Sequence, residues 1–203
     1  MVANSLQQNS RQPSCHDKDI SALLQFKQSI SLNSSASVYD GNYPKTSSWK
    51  LPVEGENNNT CCSWDGVECN ETSGRVISLD LRSSQLYGSI DSNSSLFRLV
   101  HLQMLNLDDN NFNHSQMPTA ISNFPMLMSL NIAASSFFGE IPAILGKLRQ
   151  LTHLDISNNN FHGPIPDSYA NLTQLQTLRI SGCNLVGPIP YRYLVFIIWR
   201  HLQ

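Results

Sequence analysis

Charge is scarce in this 203-residue chain. Asp, Glu, Lys and Arg make up 14% of it, well below the usual quarter. The net charge is −2 with a pI near 6.3, so the basic footprint of a nucleic-acid binder is missing. No run of 18 or more apolar residues occurs, which leaves nothing long enough to cross a bilayer as a helix. The apolar stretch Tyr193–Trp199 is far too short for that. The opening, MVANSLQQNSRQPS, is polar throughout and lacks the apolar h-region of a signal peptide. Glycine-rich phosphate loops and the Gly-x-Ser-x-Gly nucleophile elbow are also absent.

What the chain has instead is Asn and Ser. Hydrophobic residues reach 40%, enough for one sizeable core at this length. A surface of Asn and Ser suits a secreted, glycosylated protein better than a cytosolic one. Six Asn-x-Ser/Thr sequons fit that reading: Asn33, Asn58, Asn70, Asn93, Asn113 and Asn171, none with Pro in the middle. Sequons without a signal peptide or a membrane span imply a chain lacking its natural ends.

Residues 1–14 read as a disordered leader. An amphipathic helix is expected from Asp17, with Ile20, Leu23, Leu24, Lys27 and Ile30 on one stripe and Phe26 beside it. Asp17 and Asp19 would favour the positive end of its dipole. Residues 31–60, rich in Ser, Asn, Gly and Pro, read as loop, with Trp49 docking back on the helix. A cysteine box follows, Cys61-Cys62-Ser-Trp64-Asp-Gly66-Val67-Glu-Cys69. With Cys15 it puts four cysteines close together. They suit disulfides better than zinc, because the usual Cys-x₂₋₄-Cys spacing is absent and adjacent cysteines chelate one ion poorly. Cys183 is left over and is read as structural.

The sequence then repeats. Five segments align in register, starting at Leu79, Leu105, Leu130, Leu154 and Leu178. Four of them end in Gly-x-Ile, three of these with Pro next, and the second runs irregularly to Met117-Pro118. The residues at the second apolar position, Leu81, Leu107, Ile132, Ile156 and Ile180, lie 26, 25, 24 and 24 residues apart, inside the window for leucine-rich repeats. Each coil should give a short parallel strand whose leucines turn inward, then a turn at Ser84, Asn110, Ser135, Asn159 or Cys183. Asn can bond the backbone of the adjacent coil at that position; Ser and Cys must do so less completely. The expected architecture is α/β: a leucine-rich-repeat solenoid with a short parallel sheet on its concave face and a helical, disulfide-bonded N-terminal cap. The cap would span 15–75, five repeats 76–190 and a non-repeat tail 191–203.

The segment Ala22-Leu23-Leu24-x-Phe26-Lys27, the Cys-Cys-x-Trp-x-Gly-Val-x-Cys box and the Leu-x-Gly-x-Ile-Pro ending resemble the plant-specific leucine-rich-repeat class over roughly residues 15–190. Within it, Ser94-Ser95-Leu96-Phe97-Arg98-Leu99 and the irregular second repeat are similar to receptor-like proteins of the disease-resistance kind. The resemblance implies pairing of Cys15 with Cys61 and of Cys62 with Cys69. It also implies an extracellular glycoprotein ectodomain of a plasma-membrane receptor in defence or developmental signalling. Such a parent would sense a protein or peptide ligand and use a partner kinase as co-receptor, with no cofactor. Five repeats and the departure after Pro190 point to an N-terminal fragment. The alternatives are a secreted inhibitor similar to polygalacturonase-inhibiting proteins and a soluble decoy.

Strand alternation turns residues flanking the leucines outward. The binding candidates on that face are Asp80, Arg82, Asn106, Asp108, Asn131, His153, Asp155 and Arg179, with Asp80, Asn106, Asn131, Asp155 and Arg179 forming one row. Catalysis is not expected. Asp108 and Asp109 are adjacent and should splay apart, and His153, Asp155 and Ser157 share a face without any nucleophile-activating context.

Overall fold

A computed structural model describes residues 14–51 and 61–188. Most of the expected leader, Asn58 and the tail 191–203 lie outside them. The chain opens on helix α1 (Asp17–Ser29) and continues through short strands: β1 (Ser31–Leu32), β2 (Val67–Cys69), β3 (Val76–Asp80), β4 (Leu86–Tyr87), β5 (Met104–Asn106), β6 (Ser129–Asn131), β7 (Phe138–Glu140), β8 (His153–Asp155), β9 (Asn160–Gly163), β10 (Thr177–Arg179) and β11 (Asn184–Leu185).

His16 caps α1, its Nδ1 accepting from the Lys18 N–H at 3.3 Å. The buried stripe is Asp19, Ala22, Leu23 and Phe26. It sits one position before the expected one; Ile20, Leu24, Lys27 and Ile30 flank it half-buried. Asp19 causes the shift. Its carboxylate accepts from Arg75 Nη1 and from the Val76 N–H, both at 3.0 Å. A carboxylate buried without such partners would be strongly unfavourable; paired, it fixes the helix onto the start of β3.

The segment read as loop is more ordered than expected. β1 pairs antiparallel with β4 of the first coil, and Ser34–Ala36 and Lys45–Ser48 form 3₁₀ turns. Trp49 docks on two elements. Its ring stacks on Trp64 at 5.7 Å, its Nε1 donates to Asp65 O, and its own carbonyl accepts from Lys27 Nζ of α1.

β3, β5, β6, β8 and β10 form one parallel sheet, one strand per coil, with β2 antiparallel at its start. Leu79, Leu105, Leu130, Leu154 and Leu178 pair in register across it and are buried. Each second apolar residue falls one position past its strand, yet the ladder continues: Leu81, Leu107, Ile132 and Ile156 donate to Asn106, Asn131, Asp155 and Arg179 carbonyls. Burying one such side chain stabilises by about 1.5–3 kcal/mol. Phe112, Phe137 and Phe161 stack behind the sheet at 5.0 and 6.4 Å. On the opposite side 3₁₀ turns stack, three of them preceded by Pro118, Pro142 and Pro166, where no backbone donor is needed. A second parallel sheet, β7-β9-β11, runs between the two sides. Gly139 and Gly163 turn there at φ +96° and +84°, a region other residues enter only with strain.

The turn position after each strand alternates in strength. The Asn110 amide donates to Leu81 O of the preceding coil and to Leu107 and Asp108 carbonyls, while its Oδ1 accepts from Ser84 and Leu86 N–H. Asn159 repeats the pattern, reaching Ile132 O, Ser135 N and Phe137 N of the preceding coil. Ser135 reaches the preceding coil with its hydroxyl, which donates to Leu107 O, and with its carbonyl, which accepts from Phe112 N–H. The Cys183 thiol donates to Ile156 O at 3.3 Å and its sulfur faces the Asn159 and Phe161 backbone donors, all bonds weaker than those of a carboxamide. Coils one and two, and three and four, are therefore stapled strongly, and the junctions two–three and four–five weakly. Burial raises the pKa of the Cys183 thiol, and the Asn159 and Phe161 backbone groups partly offset it.

Candidate functional site

The parallel sheet brings the predicted row together. Asp80, Asn106, Asn131, Asp155 and Arg179 are partners across adjacent strands. Part of their hydrogen-bonding capacity is already used. The Oδ1 atoms of Asp80, Asn106, Asn131 and Asp155 accept from the N–H two residues on, of Arg82, Asp108, Ala133 and Ser157. Each residue thus shapes its own turn and offers what remains to the concave surface. The row is also internally paired at its far end, where Arg179 Nη1 meets Asp155 Oδ2 at 3.2 Å. At its near end Lys45 of the cap sits 3.5 Å from Asp80 Oδ1.

Arg82 and His153 are exposed and Asp108 is half-buried. Ser78, Ala133 and Ser157 belong to the same outward-facing set but are buried. They are small and lie under larger neighbours: the Ser78 hydroxyl points to Met104 Sδ, and that of Ser157 to Asp155. The floor of the face is therefore closed, and recognition falls to the longer side chains.

Asp108 and Asp109 diverge. Burial raises the pKa of Asp108, helped by the charges of Asp109 and Asp155 and opposed by Arg82 and a backbone donor. Burial acts the same way on Asp109, but donors from Ser37, Val38, Ser83 and Tyr39 outweigh it and hold the pKa below the ordinary carboxylate value. Asp109 is a structural anchor between the cap and the second coil. Sequence reading missed this role and that of Asp19; their partners lie about 70 and 56 residues away.

His153, Asp155 and Ser157 form no relay: the imidazole Nδ1 contacts Thr152 Oγ1 at 2.8 Å, and Ser157 bonds Asp155. The four cap cysteines have their sulfurs within 4.8 Å of one another. They are joined as Cys15–Cys61 and Cys62–Cys69, which leaves no thiolate to hold a metal.

The sequon asparagines among the described residues are Asn33, Asn70, Asn93, Asn113 and Asn171, and none lies in the parallel sheet. Asn33, Asn93, Asn113 and Asn171 are exposed and Asn70 is half-exposed. Asn70 Oδ1 accepts from Thr72 and Ser73, an arrangement that leaves its Nδ2 without a bond to either.

Residues 16–70 match the leucine rich repeat N-terminal domain and residues 125–185 the leucine rich repeat family. The chain is 44% identical over 139 residues to Receptor-like protein 6 of Arabidopsis thaliana, covering 64% of this chain and 13% of that protein. It is 44% identical over 119 residues to Receptor-like protein Cf-9 of Solanum pimpinellifolium, covering 54% of this chain and 13% of that protein. The chain thus spans about an eighth of the length of these relatives. A chain of the BIR3–SERK2 complex from Arabidopsis thaliana superposes with a TM-score of 0.72 and 32% identity, over 88% of each chain. The Arabidopsis receptor kinase HAESA, solved with the peptide hormone IDA and the co-receptor SERK1, gives a structural match with a TM-score of 0.50 and 29% identity, over 87% of this chain and 35% of that one. The chain therefore belongs to the leucine-rich-repeat family, with that family's N-terminal domain at its start, and is similar to plant receptor-like proteins.

Proposed function

We propose that this chain is the ligand-binding, extracellular part of a receptor-like protein acting in defence or developmental signalling, and that it is not an enzyme. The observation that supports this reading most is the in-register row from Asp80 to Arg179 on a face that no described sequon occupies. Glycans on the described sequons would cover the cap and the sides away from the sheet and leave the concave face bare. Side chains of mixed charge and amide character spaced one strand apart suit hydrogen bonding to an extended polypeptide. In the parent protein a co-receptor kinase would be the second partner, at the plasma membrane. Among the described residues no helix is long and apolar enough to cross a membrane.

A glycan wedge tests the site. The change Ala133→Thr creates a sequon at Asn131, in the middle of the row. Peptides are selected from a randomised display library on the full secreted chain, then measured against its A133T glycoform and against Asn171→Gln. The expected result is loss of binding in A133T and none in N171Q. Equal binding to a fully glycosylated A133T would remove the concave face from the reading.

A further inference from the structure

The cap loop and the turns of the first coils enclose a second concavity of about 600 Å³ beside the sheet. One wall is the loop, presenting Val38, Tyr39 and Tyr43, which are 88%, 64% and 49% exposed. The other wall is the ridge of turns that holds Arg82, Asp108 and Ala134. Exposed apolar side chains on a loop normally signal a mobile segment, but this loop is fastened. Asp109 accepts from Ser37 and from the Val38 and Tyr39 N–H groups. Tyr43 N–H donates to Ser83 O, and Gln85 donates to Asn42. Gly41 leaves room for the Tyr39 ring, which a Cβ there would meet at 2.8 Å. The aromatic wall is thus held outward by a buried charge, the rigid aromatic presentation found at binding hot spots.

The charges in the cleft are unevenly spent. Lys45 is taken up by the Asp80 carboxylate and carbonyl, and Asp109 by its donors. Asp108 is half-buried in the cleft wall, with its pKa raised by burial and lowered by the nearby Arg82 charge. Arg82 is exposed and, among the described residues, forms no ion pair. A guanidinium beside two tyrosines suits a carboxylate flanked by an apolar group, since it binds carboxylates in a planar fork. Among the described residues the cleft has two walls, and a bound chain passing along it would present side chains to both.

We infer that this cleft binds a polypeptide segment of a partner that presents an Asp or Glu side chain to Arg82 and a neighbouring apolar side chain to Tyr39 and Tyr43. The site deepens the ligand-binding reading above and rests on it, yet it lies off the concave row. Its test uses three probes on the full chain, made through a secretory route: Ac-Glu-Phe-NH₂, Ac-Gln-Phe-NH₂ and Ac-Gln-Phe-OH. Binding is followed by amide shifts in ¹⁵N-resolved spectra. The glutamyl probe is expected to bind up to about five-fold more tightly than its glutaminyl form, the size of an exposed ion pair, with shifts at Tyr39, Tyr43, Arg82 and Ala134. Arg82→Gln should erase the difference between the two, and Tyr39→Ala should weaken both while leaving the thermal midpoint unchanged. Equal binding of the glutamyl and glutaminyl probes overturns the inference, as does a difference that survives R82Q. Tighter binding of Ac-Gln-Phe-OH would make it a chain-terminus site and overturn it too. Shifts confined to Asn106, Asn131 and Asp155 would remove this cleft and leave the concave reading standing.

Discussion

The cap and the coils are held together in different ways. In the cap each tie is made once and spans a long stretch of chain: Cys15 to Cys61, Asp19 to Arg75, Lys27 to Trp49, Asp109 to Ser37. In the coils the same tie recurs every 24 to 26 residues, from backbone ladders and the turn residues between them. A repeated tie tolerates the loss of one copy. A unique tie does not, because nothing nearby replaces it. This contrast explains why the cap spends buried charge and covalent links while the coils rely on amides and packed apolar side chains.

Three measurements strain the contrast, the largest expected effect first. The Cys15–Cys61 bridge closes 46 residues and the Cys62–Cys69 bridge seven. Loop-closure entropy puts the first at about 4 kcal/mol and the second at about 2 kcal/mol. Paired serine variants of each, compared by urea midpoint, should show the long bridge costing more. A short bridge that costs as much would mean local geometry, not chain entropy, dominates the cap.

Next comes the turn ladder. Asn159→Ala strands two N–H groups and removes donors from three carbonyls, and should cost about 3 kcal/mol. Ser135→Asn should stabilise by about 1 kcal/mol, because it supplies the missing amide at a weak junction. If S135N destabilises, the serine is there for space and the alternation of staples has another origin.

The third measurement separates the two neighbouring aspartates. Asp109 has a lowered pKa, so its contribution is present above the ordinary carboxylate value and is lost as pH falls through the folded-state value. Asp108 has a raised pKa, so the native state is favoured at low pH and loses stability as pH rises from the ordinary value through the raised one. Asp109→Asn should destabilise by about 2 kcal/mol at neutral pH and flatten the acid limb of the stability profile. Asp108→Asn should leave stability at neutral pH equal or slightly higher. Parallel responses of the two variants would show that the cap loop is not anchored at Asp109.

The coils were legible because periodicity encodes them. A leucine every 24 to 26 residues fixes which side chains face the core, and strand alternation then places Asp80, Asn106, Asn131, Asp155 and Arg179 in one row before any coordinates exist. The cap was legible only in outline. The position of α1 follows from its apolar spacing, but its rotation was decided by a carboxylate whose partners lie 56 and 57 residues away. The loop over 31–51 has no period, so nothing in its composition shows that it crosses two coils and lines a cleft. The closed floor at Ser78, Ala133 and Ser157 was missed for a related reason: alternation tells which way a side chain points, not how tall its neighbours are.

The unequal staples give the solenoid a mechanical grain. Pulled along its axis, or bent by a partner gripping its face, it should part first between the second and third coils or between the fourth and fifth. There a hydroxyl, or a thiol whose hydrogen bonds are weak, supplements the backbone ladder, whereas a carboxamide stitches the neighbouring junctions several times over. Strain from a bound partner would gather at those two seams, so the coils would respond as rigid pairs and not as a uniformly elastic spring.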